Sequence, residues 1–206
     1  MKFSRILPIV MVLASADAAT ADDGLYEDAI DPSSSFVRVV APGETVGSID
    51  GNTLRDLNAG VSDFVNVMPG NIEVVLPGGN LDFDVDPSTH YTLILSEGGE
   101  WTVVVDDIAN SPAKADISLY NLSQVDVVDL FVPAANAVAI GGVSSLEAQT
   151  VAVRAPLILD FELRTDGDVI AEVSQVELER GAGVSIVLID GSDGVLAQVI
   201  ENSYQK

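Results

Sequence analysis

The sequence predicts an all-β protein made of two tandem antiparallel β-sandwich modules that are related by a weak internal repeat. Two observations predict the fold class. Short apolar segments alternate with polar residues at period two, and turn residues interrupt the chain about every 8 to 12 residues. A third observation, the ordered similarity of the two halves, predicts two modules. No segment has the periodicity of a long amphipathic helix.

The predicted strands are short and end at turn residues. Residues 36–40 are mostly apolar and β-branched, and Ala41-Pro42-Gly43 follows them. Apolar and polar side chains alternate in residues 72–76 and 81–86, and again in residues 157–164 of the second half. This alternation is typical of strands that place one face on a core and the other in water. The sequence therefore predicts half-buried strands in both halves.

The second half repeats the pattern of the first half in the same order. The corresponding segments are residues 37–40 with 117–120, 68–69 with 155–156, 72–76 with 159–163, 81–84 with 176–179, and 91–95 with 184–189. Each copy then continues into a hairpin, at residues 98–99 or 190–194. We predict a first module at residues 34–111 and a second at residues 112–206, preceded by an extended segment at residues 22–33.

The N-terminus has the three parts of a secretory signal peptide. Lys2 and Arg5 form a basic head, residues 6–16 are apolar, and Ala19-Thr20-Ala21 provides small residues at a cleavage site. The apolar run is shorter than the roughly 20 residues that span a bilayer. We therefore predict a cleaved signal peptide at residues 1–21 and an exported protein.

The charge balance is strongly acidic and limits the classes of ligand. The chain has 32 acidic and 9 basic residues, for a formal net charge of −23. Nucleic acid is excluded as a ligand because phosphate binding requires clustered Lys and Arg, and a polyanionic polymer is disfavoured for the same reason. Two interpretations stay open. The acidity provides solubility or adaptation to salt, or else an acidic face recognises a basic partner or calcium.

The sequence offers little for acid–base or nucleophilic catalysis. His90 is the only histidine and stands at the start of an apolar segment, as expected of a histidine at a strand edge or turn. Gly191-Ser192-Asp193 lies in a Gly/Asp hairpin turn, and no Gly-x-Ser-x-Gly motif accompanies it. We predict no catalytic residue.

Candidate metal and phosphate sites are equally weak. Zinc is disfavoured because the chain has one histidine and no cysteine. Asp82-Phe83-Asp84-Val85-Asp86 has the spacing of calcium ligands, but Pro87 stands where an EF-hand loop has glycine. Residues 166–168 and 190–194 are ordinary acidic turns, and Gly141-Gly142 lacks the Lys-Ser/Thr pair of a phosphate loop. We predict no metal and no cofactor.

Aromatic residues, which provide the flat surfaces of sugar-binding sites, are only 5% of the chain. Trp101 is the only tryptophan and begins an apolar segment, so a packing role is favoured over an exposed platform. A polysaccharide-binding module would need an exposed aromatic patch around Trp101, Tyr91 or Tyr120. That function and a calcium-binding structural module of the cell envelope are the alternatives.

Five segments resemble landmarks of a known family and occur in the same order. They are Gly24-Leu25-Tyr26, Ser35-Phe36-Val37-Arg38-Val39, His90-Tyr91-Thr92-Leu93, Tyr120-Asn121-Leu122-Ser123 and Val176-Glu177-Leu178-Glu179-Arg180-Gly181. In this respect the chain resembles the AlgF family of periplasmic accessory proteins of alginate O-acetylation. Each segment is weak by itself, and the order and spacing of the five give the resemblance its specificity.

The resemblance implies a non-catalytic periplasmic adaptor with two β-sandwich domains. Such a protein works beside a membrane O-acyltransferase and periplasmic acetyltransferases that modify alginate or a related exopolysaccharide. The family provides no catalytic motif, so no functional residue is transferred and the partner surface is undefined. This chain is more acidic than the family pattern, which is compatible with a salty habitat, a different partner set or a different polymer.

Overall fold

The structure is a computed structural model that describes residues 30–54, 57, 60–96, 98–192 and 194–205. The predicted signal peptide, residues 1–21, lies outside the described residues, as do residues 22–29 of the predicted extended segment. The described residues form strands and loops with one short 3-10 helix, Pro133–Ala135. The predicted all-β class is confirmed. None of these residues belongs to a helix with the length and apolarity needed to cross a membrane.

The first half of the chain forms two four-stranded sheets. Its strands are β1 (Ser35–Val40), β2 (Ser48–Ile49), β3 (Asn52–Thr53), β4 (Val65–Val67), β5 (Gly70–Leu76), β6 (Gly79–Val85), β7 (His90–Leu95) and β8 (Trp101–Asp106). One sheet has the order β4-β1-β7-β8, and we call it inner sheet 1. The other has the order β3-β2-β5-β6, and we call it outer sheet 1.

The second half forms two sheets of the same design. Its strands are β9 (Lys114–Asn121), β10 (Val127–Val132), β11 (Ala137–Ser144), β12 (Glu147–Arg154), β13 (Leu157–Thr165), β14 (Asp168–Leu178), β15 (Gly183–Gly191) and β16 (Gly194–Glu201). Inner sheet 2 has the order β12-β9-β15-β16, and outer sheet 2 has the order β11-β10-β13-β14. The predicted tandem modules and their internal repeat are confirmed. Pairing is antiparallel in both except that β1 and β7, and likewise β9 and β15, pair in parallel.

Three apolar cores join the four sheets into a stack. The first core lies between inner and outer sheet 1, where Val39 packs with Val74. The second lies between inner and outer sheet 2, where Leu119 packs with Leu163. The third lies between the two inner sheets and contains Val40, Val61, Ile94, Tyr120 and Val187. The layers therefore run from outer sheet 1 through inner sheets 1 and 2 to outer sheet 2, and the modules share a core.

The stack contains strands with one solvent-exposed face and strands with none. Residues 72–76 and 81–86 do have one wet face, because β5 and β6 lie in an outer layer. Residues 36–40 do not, because β1 lies in an inner layer and apolar cores contact both of its faces. A strand between two packed layers has no face in water, so its polar residues must find partners inside the protein.

Two features of the backbone connect the modules. Residues 107–113 run from the end of β8 to the start of β9. The chain also returns to the first module after β16: the Phe64 amide donates to the Ser203 carbonyl (2.8 Å), and the Gln205 amide donates to the Phe64 carbonyl (2.8 Å). The last described residues therefore pair with the first module. Together with the shared core, they explain why the chain from Asp31 onward forms one compact unit.

Candidate functional site

Arg38 lies at the centre of the contact between the two inner sheets. In β1 the side chains of Val37 and Val39 point into the first module's core, so Arg38 points from the opposite face toward the second module. It is only 1% exposed. A buried guanidinium is strongly destabilising unless its donors and its charge are satisfied, so its surroundings define a specific site.

Side chains from both modules accept hydrogen bonds from Arg38. Its Nε donates to Thr92 Oγ1 (2.9 Å) in its own module. Its Nη2 donates to Tyr120 Oη (2.5 Å) and Ser185 Oγ (2.8 Å), and Nη1 donates to Asn202 Oδ1 (3.0 Å), all in the second module. One cation therefore connects two modules that are distant in sequence.

Asp106 provides the negative charge of this cluster. Its carboxylate accepts hydrogen bonds from Thr92 Oγ1 and from Tyr120 Oη, each at 2.6 Å. The same two hydroxyl groups accept from Arg38, so each of them bridges the guanidinium and the carboxylate. We call Arg38, Thr92, Asp106, Tyr120, Ser185 and Asn202 the junction cluster. In it, two hydroxyl groups relay the attraction between a buried cation and a buried anion.

Burial perturbs the acidic groups of the junction cluster. It raises the pKa of Asp106, and the positive charge of Arg38 and the hydrogen bonds from Thr92 and Tyr120 oppose that shift. Burial also raises the pKa of Tyr120 to about 12, against the opposing effect of Arg38. The phenol is therefore neutral at pH 7 and is able to donate to Asp106.

The junction cluster uses equivalent positions of the two repeats. Thr92 lies beside Arg38 in the parallel pairing of the first module, and Ser185 lies beside Ser118 in that of the second. Asp106 pairs with the first residue of β7, and Asn202 pairs with the first residue of β15. Thr92 and Ser185 are therefore equivalent, as are Asp106 and Asn202. The charged residues are present only in the first module.

Next to the junction cluster, His90 is held among aromatic rings. Its imidazole stacks on Phe36 with the ring centroids 4.8 Å apart and meets Phe64 edge-on at 5.4 Å. Its Nε2 lies 3.3 Å from Tyr204 Oη. Burial, followed by the positive charge of Arg38, lowers the pKa of His90. The imidazole nitrogen that would act as a base thus contacts a phenol of the last described segment.

The acidic motifs of the sequence do not come together. Asp82 and Asp84 are exposed on outer sheet 1, while Asp86 Oδ2 accepts a hydrogen bond from Tyr91 Oη (3.2 Å). Asp166 and Gly167 form the turn between β13 and β14, and Asp168 is the first residue of β14. Within residues 30–54, 57, 60–96, 98–192 and 194–205, no three His, Asp or Glu side chains are arranged to hold a metal ion.

The other two turn motifs also lie in ordinary surroundings. Asp190 is at the end of β15 and accepts a hydrogen bond from the Gln124 amide (3.2 Å), while Asp193 lies outside the described residues. Gly142 has φ +76° in β11, and its amide donates to Asp129 Oδ1 (2.7 Å). This glycine serves a local backbone bend, because a positive φ is readily adopted only without a Cβ.

The exposed aromatic patch required by a polysaccharide-binding function is not formed by the residues considered for it. Tyr120 is fully buried in the junction cluster, and Tyr91 is 3% exposed. Trp101 packs against the first module's core, as the sequence favoured. Tyr91 and Trp101 pack into the first module's core and Tyr120 packs between the two inner sheets, so they do not provide a common exposed sugar-binding surface.

The fold and the junction cluster define a class of protein: a pair of stacked β-sandwich modules in which buried ionisable groups of one module contact the other. Comparison with known families is more specific. The family model described as Alginate O-acetyl transferase AlgF matches residues 8–185, and the chain belongs to that family.

A relative of known name agrees with this assignment. Over 127 residues the chain is 31% identical to the alginate biosynthesis protein AlgF of Pseudomonas aeruginosa PAO1. This alignment covers 59% of this chain and 58% of that protein. The aligned region thus spans less than two thirds of the relative. A structure of the C-terminal domain of AlgF from P. aeruginosa aligns with a TM-score of 0.39 and 16% identity, over 44% of this chain and 99% of that domain. A structure of the N-terminal domain of the same protein aligns with a TM-score of 0.32 and 26% identity, over 35% of this chain and 93% of that domain.

Proposed function

We propose that this chain is a non-catalytic periplasmic adaptor in the O-acetylation of alginate or a related exopolysaccharide. It holds periplasmic acetyltransferases beside the membrane O-acyltransferase that supplies acetyl groups. Family membership over residues 8–185 is the observation that carries the proposal. The name of the P. aeruginosa relative supports the pathway, since that protein is an alginate biosynthesis protein.

The structure supports an adaptor role over direct acetyl transfer. Acetyl transfer through an acyl-enzyme requires a nucleophile within hydrogen-bond reach of a base. His90 is the only histidine of the chain, and its Nε2 is next to Tyr204 Oη among aromatic rings. Arg38 and Asp106 are also buried and satisfy each other through hydroxyl groups, and the buried Asp116 carboxylate accepts hydrogen bonds from the Ala109 and Asn110 amides. These groups fix the arrangement of the modules, which is what a scaffold requires.

Acetyl content of the exported polymer in a deletion strain tests the proposal. We expect acetyl groups to be lost while polymer yield is retained, and the wild-type gene to restore acetylation. Complementation with His90→Gln distinguishes the two roles, because an adaptor with this substitution retains acetylation and a transferase that uses the imidazole does not. Folding of the variant is checked by its melting temperature.

Two outcomes would contradict the proposal. Unchanged acetyl content in the deletion strain would remove acetylation as the function. Loss of acetylation in a folded His90→Gln protein would instead indicate chemistry at the imidazole, as the family name Alginate O-acetyl transferase AlgF suggests.

A further inference from the structure

The two outermost faces of the stack differ in their chemistry. The solvent face of outer sheet 1 is polar and acidic apart from the half-buried Val75. Its exposed side chains are Asn71, Glu73, Asn80, Asp82 and Asp84. Glu73 lies directly opposite Asp82 in the β5–β6 pairing. Like-charged side chains therefore oppose each other on this face, but no exposed apolar side chain accompanies them in β5 or β6.

Outer sheet 2 presents a different solvent face, which we call the mixed face. A row of directly paired residues crosses its four strands: Val138, Phe131, Glu162 and Glu172. The next row consists of Asp129, Arg164 and Val169. Val138 is 52% exposed and Val169 is 46% exposed. Exposed apolar surface bordered by polar side chains marks an interaction site, and here Val138 pairs directly with Phe131, which carboxylates of the two rows border.

The charges of the mixed face are arranged around Arg164. Its guanidinium carbon lies 3.5 Å from the ring centroid of Phe131, and its Nε donates to Glu162 Oε2 (2.8 Å). This ion pair compensates Glu162, while Glu172 lies directly opposite Glu162 in the β13–β14 pairing. Like charges in directly opposed positions destabilise a sheet. Glu172 is therefore a carboxylate for which a cation from outside the chain would be favourable.

We propose that the mixed face binds a segment of a partner protein in which lysine or arginine stands beside apolar residues. The apolar residues of the segment cover Val138 and Val169, and its cation pairs with Glu172. The net charge of −23 steers such a basic segment toward the protein. The identity of the partner as a component of the acetylation machinery rests on the proposed function; the chemistry of the segment does not.

Other occupants are disfavoured by the same charges. A second copy of the chain would bring its own carboxylates against Glu172 and Asp129. A uronate polymer or an anionic membrane would do the same, and among the described residues of the mixed face only Arg164 is a cation, which is already paired with Glu162. A basic protein segment is the occupant whose charge complements the face.

Site-specific photocrosslinking in the producing cells tests the surface. A benzophenone amino acid replaces Val138 on the mixed face in the full chain, and replaces Asn80 on outer sheet 1 as the control, since both positions are exposed. We expect a discrete protein adduct from position 138 that position 80 does not give. Mass spectrometry of the adduct should locate the crosslink within a segment containing Lys or Arg.

Matched charge reversals then test the chemistry. Glu172→Lys is introduced beside the position-138 probe, and Asp82→Lys serves as control, because each reversal changes the net charge equally and faces a glutamate across the strand pair. We expect Glu172→Lys to reduce the adduct about fivefold or more, and Asp82→Lys to leave it unchanged. Melting temperatures establish that both variants fold.

Several results would overturn the inference. These are no adduct at position 138, an adduct whose crosslinked segment is acidic, an adduct with twice the mass of the chain, and a heterogeneous adduct removed by a polymer-degrading lyase. Equal loss from both charge reversals would indicate a general effect of net charge. Acetyl content in the deletion strain is measured separately, so failure of the proposed function and failure of the mixed face are distinguishable.

Discussion

Replacing Arg38 by methionine should strongly destabilise the stack of two modules. Methionine approximates the aliphatic part of the arginine side chain but removes the guanidinium. The substitution removes the hydrogen bonds to Thr92, Tyr120, Ser185 and Asn202. It also leaves the Asp106 carboxylate buried without the nearby positive charge that opposes the rise of its pKa.

The expected magnitude follows from that uncompensated charge. Removing one partner of a directly paired buried ion costs about 3–5 kcal/mol, and because Arg38 and Asp106 are joined through Thr92 and Tyr120 we expect about 3 kcal/mol, a substantial part of the roughly 5–15 kcal/mol that stabilises a typical domain. Asp106→Asn should be destabilising for the converse reason, because Arg38 is then the uncompensated charge. In the double variant neither charge remains, so its loss should be smaller than the sum of the single losses by about 2 kcal/mol.

Urea unfolding of the four proteins measures this coupling, with Trp101 fluorescence reporting on the first module and far-UV circular dichroism on both. The two signals should change together in the wild type if the modules unfold as one unit. The reasoning fails if the decrease in the free energy of unfolding of the double variant equals the sum of the two single decreases to within about 0.5 kcal/mol, because independent sites behave in this way. A loss below about 1 kcal/mol in Arg38→Met would refute it as well.

Three further predictions concern titration and surface charge. In a spectrophotometric titration of the folded protein, one tyrosine should ionise only near pH 12, where burial raises the pKa of Tyr120 to about 12, and Tyr120→Phe should remove that step. Burial lowers the pKa of His90, so the unfolded chain takes up a proton first as the pH falls below about 6.5. The wild type should therefore lose stability relative to His90→Gln between pH 7 and 5. A difference between the urea midpoints of the two proteins that is the same at pH 7 and pH 5 would contradict this. Arg154 and Lys114 lie directly opposite each other, so Arg154→Glu should raise the free energy of unfolding by roughly 0.5 kcal/mol, with Arg154→Gln giving a smaller gain.

The parts of the fold that depend on local pattern were predictable from the sequence. Residues 72–76 and 157–164 alternate as strands of an outer layer should, and the structure places them in β5 and β13. The two halves share the order of their strands because equivalent apolar positions, such as Val74 and Phe161, face equivalent cores. Period-two alternation is a property of a single strand and its core, so a sequence reports it directly.

The junction cluster could not be predicted in the same way, because it depends on how one module packs on the other. The presence of Arg38 in an apolar strand is compatible with a solvent-exposed face of that strand as well as with a buried, charge-compensated arginine. A signal was nevertheless present: Val40 is on the same face of β1 as Arg38, and apolar residues on both faces of a strand indicate burial on both sides. Nothing local identifies Asp106 and Tyr120 as partners, since that contact is set by tertiary packing.

The divergence of the two repeats explains why the modules stack on each other within one chain. They meet through equivalent positions, but Arg38 is equivalent to Ser118, and Asp106 is equivalent to Asn202. Two first modules meeting through this surface would bring arginine against arginine, and two second modules would have neither charge. The short connection at residues 107–113 also gives the correct contact a high effective concentration. The repeat thereby fixes one arrangement of the inner sheets and leaves both outer sheets on the surface.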